Sequence, residues 1–120
     1  MIPRPRRVWL IGSMGAGKSA VGTALAGLLG WPLLDNDAEL RRRTGRSVAE
    51  LAETGWDPLH RSESLQLLSA TLEPVPLVAG IAASVGDRPE DLALLRRTGI
   101  VVYLRARPAE IAVALSSYLA

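Results

Sequence analysis

Residues 10–22 read LIGSMGAGKSAVG, an apolar run that leads through three glycines to a lysine and a serine. Within this stretch, residues 12–19 match the pattern G-x-x-x-x-G-K-[ST]. Glycines let consecutive backbone N–H groups turn toward one anion, and the helix that follows adds the positive end of its dipole. The stretch therefore predicts a strand, a phosphate-binding loop and a helix, in that order.

The same motif assigns roles to individual side chains. Lys18 is placed to reach the β- and γ-phosphates of a nucleotide, and the Ser19 hydroxyl is placed to coordinate Mg²⁺. The predicted nucleotide-binding residues are Gly12, Gly15, Ala16, Gly17, Lys18, Ser19 and Ala20. The alternative interpretation is a tight turn between a strand and a helix, without a ligand.

The composition limits the possible functions. The chain has 120 residues, 48% of them apolar, which suits one compact domain with a real core. It has no cysteine, so disulfides and thiolate metal sites are excluded, which fits a reducing cytosol. Its one histidine, His60, excludes a multi-histidine zinc site and disfavours a Ser-His-Asp triad.

The charge pattern disfavours nucleic acid and membranes as partners. The net charge is only +2, and the basic start of the chain is typical of a solvated tail. No run of about 18 apolar residues is present. The apolar stretch after the basic start is broken by glycines and soon reaches Lys18, which is unlike a signal peptide. We therefore expect a cytoplasmic protein.

Short apolar runs alternate with helical segments along the chain. The runs predict four strands, at 8–11, 32–35, 76–80 and 100–104. Helices are predicted over 18–29 and from Asp37, Ser47, Asp57, Pro89 and Pro108 onward. This alternation favours an α/β fold with a parallel sheet and helices on both of its faces.

Local signals predict where the helices begin. Asp37 is the predicted N-cap of one helix, and Ser47 with Glu50 forms a capping box for the next. Asp57 and Pro58 are predicted as the N-cap and first residue of the helix that follows. Three leucines share one face of that helix at helical spacing: Leu65, Leu68 and Leu72.

Two carboxylates follow the second predicted strand. Asp35 and Asp37 stand at its carboxyl end, the edge at which ligands bind in open α/β sheets. Asp35 could help to hold Mg²⁺, and Asp37 could accept a hydrogen bond from a substrate hydroxyl. The alternative interpretation makes Asp37 only a helix cap and Asp35 a loop residue.

These motifs together resemble the shikimate kinase family. The chain shares with that family the loop MGAGKS at 14–19, the D-x-D step at 35–37 and the turn TGRS at 44–47. The segment RRTGIVVYL at 96–104 is similar to the family's R-x-x-G-x-V-V-Y-L. The combination of D-x-D with T-G-R-S is more specific than the loop alone, and it disfavours gluconate kinases and nucleotide kinases.

The resemblance implies a three-layer P-loop kinase fold with a parallel sheet of strand order 2-3-1-4. It also implies ATP and Mg²⁺ as cofactors and the 3-hydroxyl of shikimate as the phosphoryl acceptor. Lys18 would stabilise the transferring phosphoryl group, and Ser19 would bind Mg²⁺ with Asp35 behind it. Asp37 would orient the acceptor hydroxyl and take its proton, so Lys18 and Asp37 are the predicted catalytic residues.

The chain departs from the family pattern in the predicted acceptor site. The family shows G-E-x-x-F-R-x-x-E, and here His60 stands where the arginine belongs, while Gly55 and Glu63 keep their places. That arginine would hold the substrate carboxylate in a fork. Arg61 comes one residue late, which rotates it by about 100° around a helix. His60 and Arg61 are both predicted substrate-binding residues, with an ordinary polar position as the alternative for His60.

A second departure follows the third predicted strand, where the family has three consecutive glycines. This chain has Gly80, a predicted substrate-binding residue, followed by Ile81, Ala82 and Ala83. Glycines there would let the backbone approach the substrate, and a β-branched residue suits a positive φ badly. We therefore expect a side chain of this segment to occupy part of the acceptor site.

The third departure is length. The family continues with a lid that carries a catalytic arginine, a fifth strand and a last helix. We therefore expect 1–120 to be a single P-loop domain without the lid and the C-terminal segment, its fourth strand an exposed apolar edge. The leading hypothesis is ATP-dependent phosphorylation of shikimate by a monomer, unless a partner chain supplies the lid. The alternatives are a nucleotide-binding protein without kinase activity and a degenerate, shortened product.

Overall fold

The computed structural model of the protein describes residues 6–12, 18–104, 116 and 119. Strands alternate with helices along it, as the sequence predicts. The strands are β1 (Arg7–Ile11), β2 (Leu33–Asp35), β3 (Leu77–Ile81) and β4 (Ile100–Tyr103). The helices are α1 (Lys18–Leu29), α2 (Asn36–Thr44), α3 (Val48–Glu53), α4 (Trp56–Ala70) and α5 (Pro89–Thr98), with a 3-10 helix over Ala83–Asp87.

The four strands form one parallel sheet in the order β2-β3-β1-β4. This is the order that the resemblance implies, so the fold prediction is confirmed. Parallel neighbours cannot be joined by a tight hairpin, so the chain crosses between them through helices. All four strands therefore end at the same edge of the sheet, and the residues that follow β1, β2 and β3 meet there.

The sheet is covered on both faces, which gives the protein two apolar cores. Alternate residues of β1 point to opposite faces, as they must in a strand. Trp9 packs beside Leu67 of α4 and Leu95 of α5. Leu10 packs beside Val21 of α1 on the other face. The sheet is thus the middle layer of three, and packing on both of its faces fixes the position of its carboxyl edge.

Two predicted features of the helices are present as expected. The Ser47 hydroxyl accepts a hydrogen bond from the Glu50 N–H at 3.1 Å, and the Glu50 carboxylate accepts one from the Ser47 N–H at 3.2 Å, which completes the capping box. The helix α1 spans the predicted residues, 18–29. Local sequence signals were sufficient at these two places.

The predicted cap of α2 is wrong by two residues. Asp35, not Asp37, is the N-cap, and its Oδ1 accepts a hydrogen bond from the Asp37 N–H at 3.1 Å. The reason is that β2 runs directly into α2, which begins at Asn36. The last residue of the strand is therefore the one whose side chain can reach the first free N–H groups of the helix.

The predicted start of α4 is also wrong. Gly55, at φ 121°, is the N-cap, and the helix begins at Trp56. Asp57 and Pro58 are its second and third residues rather than its cap and first residue. The N–H groups of the first turn have no partner within a helix, so a proline fits there without loss of a hydrogen bond.

Of the leucines predicted to share one face of this helix, Leu65 and Leu68 lie on the solvent-exposed side of α4, and Leu72 follows the end of the helix at Ala70. Leu65, Leu68 and Leu72 are 58%, 51% and 82% exposed. The buried side of the helix consists of Leu59, Glu63, Gln66, Leu67 and Ala70. Both sides of α4 carry leucines at helical spacing, so spacing alone did not show which side faces the core.

The remaining sequence predictions concern the two ends of the described region. The last predicted helix, from Pro108, lies mostly outside the described residues. Within its predicted range the structure describes Ser116 and Leu119, and both are helical. Within the four-stranded sheet, β4 pairs on one side with β1, and its Tyr103 is exposed. In the part of the chain that the structure describes, no helix has the length and apolar character needed to cross a membrane.

Candidate functional site

The carboxyl edge of the sheet holds a cavity of about 90 Å³. It lies where β2 and β3 end and where α1 and α2 begin, so its lining comes from four elements. The lining residues are Lys18, Ser19, Thr23, Leu33, Leu34, Asp35, Asn36, Asp37 and Gly80. Five of these were predicted from the sequence as site residues, and the structure brings those five together: Lys18, Ser19, Asp35, Asp37 and Gly80.

The phosphate-binding motif contributes the first turn of α1 to this cavity. Lys18 is the first residue of the helix, and its Nζ donates a hydrogen bond to the main-chain carbonyl of Ile81 at 3.1 Å. Ser19 and Ala20 follow it in the same turn and are exposed. The lysine ammonium therefore stands between the start of α1 and the end of β3.

The rest of the predicted nucleotide-binding loop is only partly described. Gly12 is buried directly after β1. Gly15, Ala16 and Gly17 lie outside the described residues. Their predicted contact with phosphate therefore rests on the sequence motif alone.

The two aspartates play different local parts. Asp35 pairs with Gly80 across the sheet and uses Oδ1 as the cap of α2. Asp37 is exposed and lies in the first turn of α2, which forms part of the cavity wall. Within the described residues no group of three or more histidine, aspartate or glutamate side chains is arranged to hold a metal ion. A magnesium ion here would thus depend on ligands such as phosphate oxygens and water, which is how proteins commonly bind it.

Asn36 is a site residue that the sequence did not suggest. It is only 3% exposed, lines the cavity, and its buried Nδ2 has no hydrogen-bond partner among the described residues. In the sequence it stands between the two aspartates, so it resembles any other polar residue at the end of a strand. Its burial in the structure is what distinguishes it from the two aspartates.

Gly80 and Ile81 end β3, where the sequence predicts that a side chain fills part of the acceptor site. Among the residues that the structure describes, none has an atom within 4 Å of a methyl group added at Gly80. Ile81 is the last residue of β3, and its side chain packs in the core beside Leu67 and Val85. The expectation that a side chain here occupies the acceptor site is therefore wrong for Ile81, because the strand continues through it and turns it inward.

The two residues predicted to hold a substrate carboxylate lie on α4. His60 is half-buried, and its ring lies 5.9 Å from that of Trp56. Arg61 is exposed. Neither residue lines the cavity described above. Their role in substrate binding stays a prediction.

A second polar cluster, which we call the Arg88 cluster, joins α4 to the start of α5. Arg88 Nε donates to Asp91 Oδ2 at 2.6 Å, and the Ser64 hydroxyl donates to the same oxygen at 2.9 Å. Arg88 Nη1 lies 3.6 Å from Oε1 of Glu63, which is 3% exposed. The Glu63 carboxylate thus faces an arginine from another element. In the sequence, Glu63 was notable only because it keeps its place in a family motif.

Asp37 also borders a groove between α2 and α3, with a volume of about 420 Å³. The groove is lined by Asp37, Ala38, Arg41, Ser47, Val48 and Ala49. Asp37 and Arg41 are four residues apart, so they are neighbours on one face of α2. In the ion pairs formed within 6–12 and 18–104, Arg42 pairs with Glu39 at 2.6 Å, whereas Arg41 takes part in none.

The capping box affects the charge near this groove. The pKa of Glu50 is lowered from its ordinary value of 4.5, chiefly because the main chain of Ser47 donates a hydrogen bond to its carboxylate. The Ser47 side chain adds to this effect, and the positive charges of Arg41 and Arg46 contribute less. Glu50 therefore remains ionised under acidic conditions in which an isolated glutamate is partly protonated.

The fold and the motif define the class of protein. A parallel sheet whose first strand leads through G-x-x-x-x-G-K-S into a helix, with acidic residues after a second strand, is typical of P-loop nucleotide-binding proteins. A sequence model of the shikimate kinase family matches residues 14–118. The chain therefore belongs to the shikimate kinase family.

Individual relatives agree with this assignment. The chain is 44% identical over 109 residues to a shikimate kinase of Nitratidesulfovibrio vulgaris, a match that covers 90% of this chain and 61% of that protein. It is 35% identical over 101 residues to the shikimate kinase of Cereibacter sphaeroides, covering 84% and 51%. The chain thus spans only 51–61% of the length of these relatives.

A solved structure confirms the likeness of the fold. The shikimate kinase from Acinetobacter baumannii in complex with shikimate superposes with a TM-score of 0.79 at 32% sequence identity. The superposition covers 97% of this chain and 62% of the other. The four-stranded sheet and its helices are therefore those of the family.

Proposed function

We propose that this chain binds ATP and transfers its γ-phosphoryl group to the 3-hydroxyl of shikimate. The observation that carries the proposal is that one cavity contains both Lys18, from the phosphate-binding motif, and Asp37, from the D-x-D step. Phosphoryl transfer needs little covalent chemistry from the protein and depends on positioning and charge. A cation and a carboxylate that line one small cavity are suited to that task.

On the nucleotide side, we propose that the motif residues bind the phosphates as the sequence predicts. These residues are Gly12, Gly15, Ala16, Gly17, Lys18, Ser19 and Ala20. Lys18 would exchange its present hydrogen bond to the Ile81 carbonyl for one to a phosphoryl oxygen. That exchange is favourable because a bond between an ammonium and an anionic oxygen is charge-assisted on both sides.

Ser19 and Asp35 would hold Mg²⁺. Both line the cavity, and the cap of α2 occupies only Oδ1 of Asp35, which leaves its second oxygen for the ion or for a water bound to it. When bound, the ion would supply positive charge that neutralises the phosphate oxygens.

On the acceptor side, Asp37 would orient the 3-hydroxyl and accept its proton. It is suited to this because it borders the cavity and the groove between α2 and α3 at once. Gly80 would contribute main chain rather than a side chain, since no atom of the described residues lies within 4 Å of the position that its Cβ would take. His60 and Arg61 remain the candidates on α4 for the carboxylate of shikimate.

We add Arg41 as a further candidate for that carboxylate. An imidazole offers no planar fork of donors, so His60 is a poor replacement for an arginine. Arg41 lies one helical turn from Asp37 in the same groove, so a small acceptor could touch both side chains. Arg88, by contrast, has both terminal nitrogens buried in the cluster with Glu63 and Asp91.

The second candidate function is nucleotide binding without phosphoryl transfer. The observation that favours it is His60, which replaces a carboxylate-binding arginine of the family pattern. We further propose that residues 1–120 act as one P-loop domain, monomeric and cytoplasmic. The absence of cysteine from the sequence supports a reducing compartment.

Two substitutions test the proposed function against the alternative. Lys18→Ala should lower the affinity for Mg·ATP and reduce any turnover by roughly 10²–10³-fold, because it removes a preorganised cation from the transferring group. Asp37→Ala should leave nucleotide affinity unchanged and abolish the part of ADP release that depends on shikimate. Calorimetry with nucleotide and a coupled ADP-release assay, with and without shikimate, measure both effects.

The outcomes separate the two functions. Nucleotide binding that Lys18→Ala weakens, with no response to shikimate in the wild type, would leave only the nucleotide-binding function. Equal nucleotide affinity in the wild type and in Lys18→Ala would contradict both.

A further inference from the structure

The orphaned amide of Asn36 is the most informative polar group in the cavity. A buried donor without a partner is rare in native proteins, since it loses its hydration and gains nothing in return. Asn36 is 3% exposed, and its Nδ2 has no hydrogen-bond partner in the part of the chain that the structure describes. Because Asn36 lines the same cavity as Lys18 and Asp37, a ligand atom is favoured as its partner over a protein atom.

We propose that Asn36 Nδ2 donates a hydrogen bond to an oxygen of the phosphoryl group that is transferred. This inference rests on the proposed function and assigns one more residue to it. Asn36 would then act as a neutral donor beside the cation of Lys18, on the wall from which the acceptor carboxylate Asp37 also projects.

The chemistry of the cavity favours a phosphoryl oxygen over an acceptor hydroxyl as the partner. Phosphoryl oxygens are acceptors with negative charge, and a hydrogen bond to a charged acceptor is stronger than one to a neutral acceptor. A hydroxyl at this place must instead give its proton to a carboxylate, and Asp37 already provides one. Lys18 and Ser19 on the same cavity also favour an anion there.

The size of the cavity agrees with this choice. Its volume is about 90 Å³. An engineered apolar cavity that holds benzene has a volume of about 150 Å³. The smaller space beside Asn36 therefore favours a phosphoryl group over the six-membered ring of the acceptor, which would lie in the groove beyond Asp37.

The location of Asn36 explains why it can serve the transferred group. It is the first residue of α2, directly after the strand residue that pairs with Gly80. Lys18 binds the carbonyl of Ile81, one residue further along that neighbouring strand. Asn36 and Lys18 are thus the first residues of two different helices that both begin beside the end of β3.

The test compares stability with ligand affinity in the same variants. Asn36→Leu removes the donor and keeps a similar volume, so the unliganded chain should be as stable as the wild type or more stable, because no buried donor is left without a partner. Its affinity for the magnesium complex of the imido analogue of ATP should fall roughly 10-fold or more, while its affinity for Mg·ADP stays within about twofold. Asn36→Asp should lose more, because it brings a negative charge to the phosphoryl group. Gln66→Leu, which removes another buried amide at a position that does not line the cavity, is the matched control and should change neither affinity.

Each other outcome overturns the assignment in a distinguishable way. If Asn36→Leu lowers the melting temperature and binds both nucleotides like the wild type, the amide is a structural group. If only the affinity for shikimate falls, the donor serves the acceptor and not the phosphoryl group. If the affinities for both nucleotides fall equally, the substitution has altered the whole cavity. A wild-type chain that binds neither nucleotide would overturn the proposed function itself, and this inference with it.

Discussion

Two polar clusters of this protein contain similar charged groups but differ in whether those groups face a partner of opposite charge within the protein. The Arg88 cluster sets a guanidinium against two carboxylates, with Asp91 at 2.6 Å and Glu63 at 3.6 Å. The cavity at the carboxyl edge also combines a cation with carboxylates, but its Lys18 binds a main-chain carbonyl and its Asn36 Nδ2 has no partner within 6–12 and 18–104. Arg88 Nη1 and Nη2 make no hydrogen bond within these residues either, yet Nη1 faces a carboxylate.

The difference between the clusters indicates what each is for. A cluster whose charges face one another holds two elements together, here α4 and α5. A cluster whose donors still lack an anion is prepared for a ligand, at some loss of stability to the unliganded chain. The comparison predicts that substitutions in the Arg88 cluster change stability first, and that substitutions around the cavity change binding first.

The largest expected effect on stability is at Arg88. Arg88→Ala should lower the free energy of unfolding by roughly 3 kcal/mol, because it removes the cation that faces the buried Glu63 and the partly buried Asp91. Urea denaturation measures this change. Arg97→Ala, which removes an exposed arginine from the other end of α5, should change it by no more than about 0.5 kcal/mol.

A result in which Arg88→Ala and Arg97→Ala are equally mild would break the comparison. It would mean that the Arg88 cluster gains no more from its ion pairs than exposed charges do. A loss of nucleotide affinity in Arg88→Ala without loss of stability would likewise place Arg88 with the cavity rather than with the core.

The next expected effect is at Arg41 and concerns binding. Arg41→Ala should lower the affinity for shikimate roughly 10-fold, the usual loss for one hydrogen bond between charged groups. Nucleotide affinity should not change. Arg42→Ala is the matched control, since it removes the neighbouring arginine of the same helix, which already pairs with Glu39 at 2.6 Å. Calorimetric titration with shikimate in the presence of nucleotide measures both variants.

Two results would redirect this prediction. Equal losses in Arg41→Ala and Arg42→Ala would point to the general positive field of α2 rather than to a contact. If Arg41→Ala binds shikimate like the wild type while His60→Arg binds it more tightly, the carboxylate lies at α4, as the sequence resemblance suggests.

The sequence predicted the sheet and the composition of the cavity better than it predicted the ends of helices. The strand order was predicted from a family resemblance. Lys18 and Asp37 were predicted as site residues from motifs whose spacing indicates their chemical roles. The caps at Asp37 and Asp57 were wrong because each of these helices begins earlier, at Asn36 and Trp56. Where several polar residues follow one another, more than one of them could be the N-cap of the helix. Which one is the N-cap depends on where the preceding strand or turn ends.

Burial was the other property that the sequence could not supply. Leu65, Leu68 and Leu72 have the spacing of a core face and yet face solvent, because Leu59, Leu67 and Ala70 provide a competing one. Asn36 shows the opposite case, a polar residue between two aspartates that is nevertheless buried. The functional meaning of such positions depends on tertiary contacts, which have no signature in local sequence.

The smallest expected effect is at the capping box, which belongs to neither cluster. The pKa of Glu50 is lowered in the folded chain, so its contribution to stability is fully present above its unfolded value and is lost as the pH falls through the folded value, below 4.5. Glutamine can replace glutamate as the partner of the Ser47 N–H but cannot titrate. Glu50→Gln should therefore lose less stability than the wild type between pH 7 and this acidic range. Glu53→Gln, an exposed position later in α3, is the control and should follow the wild type. An NMR titration that places the pKa of the Glu50 carboxylate at or above 4.5 would contradict the hydrogen-bonded capping box.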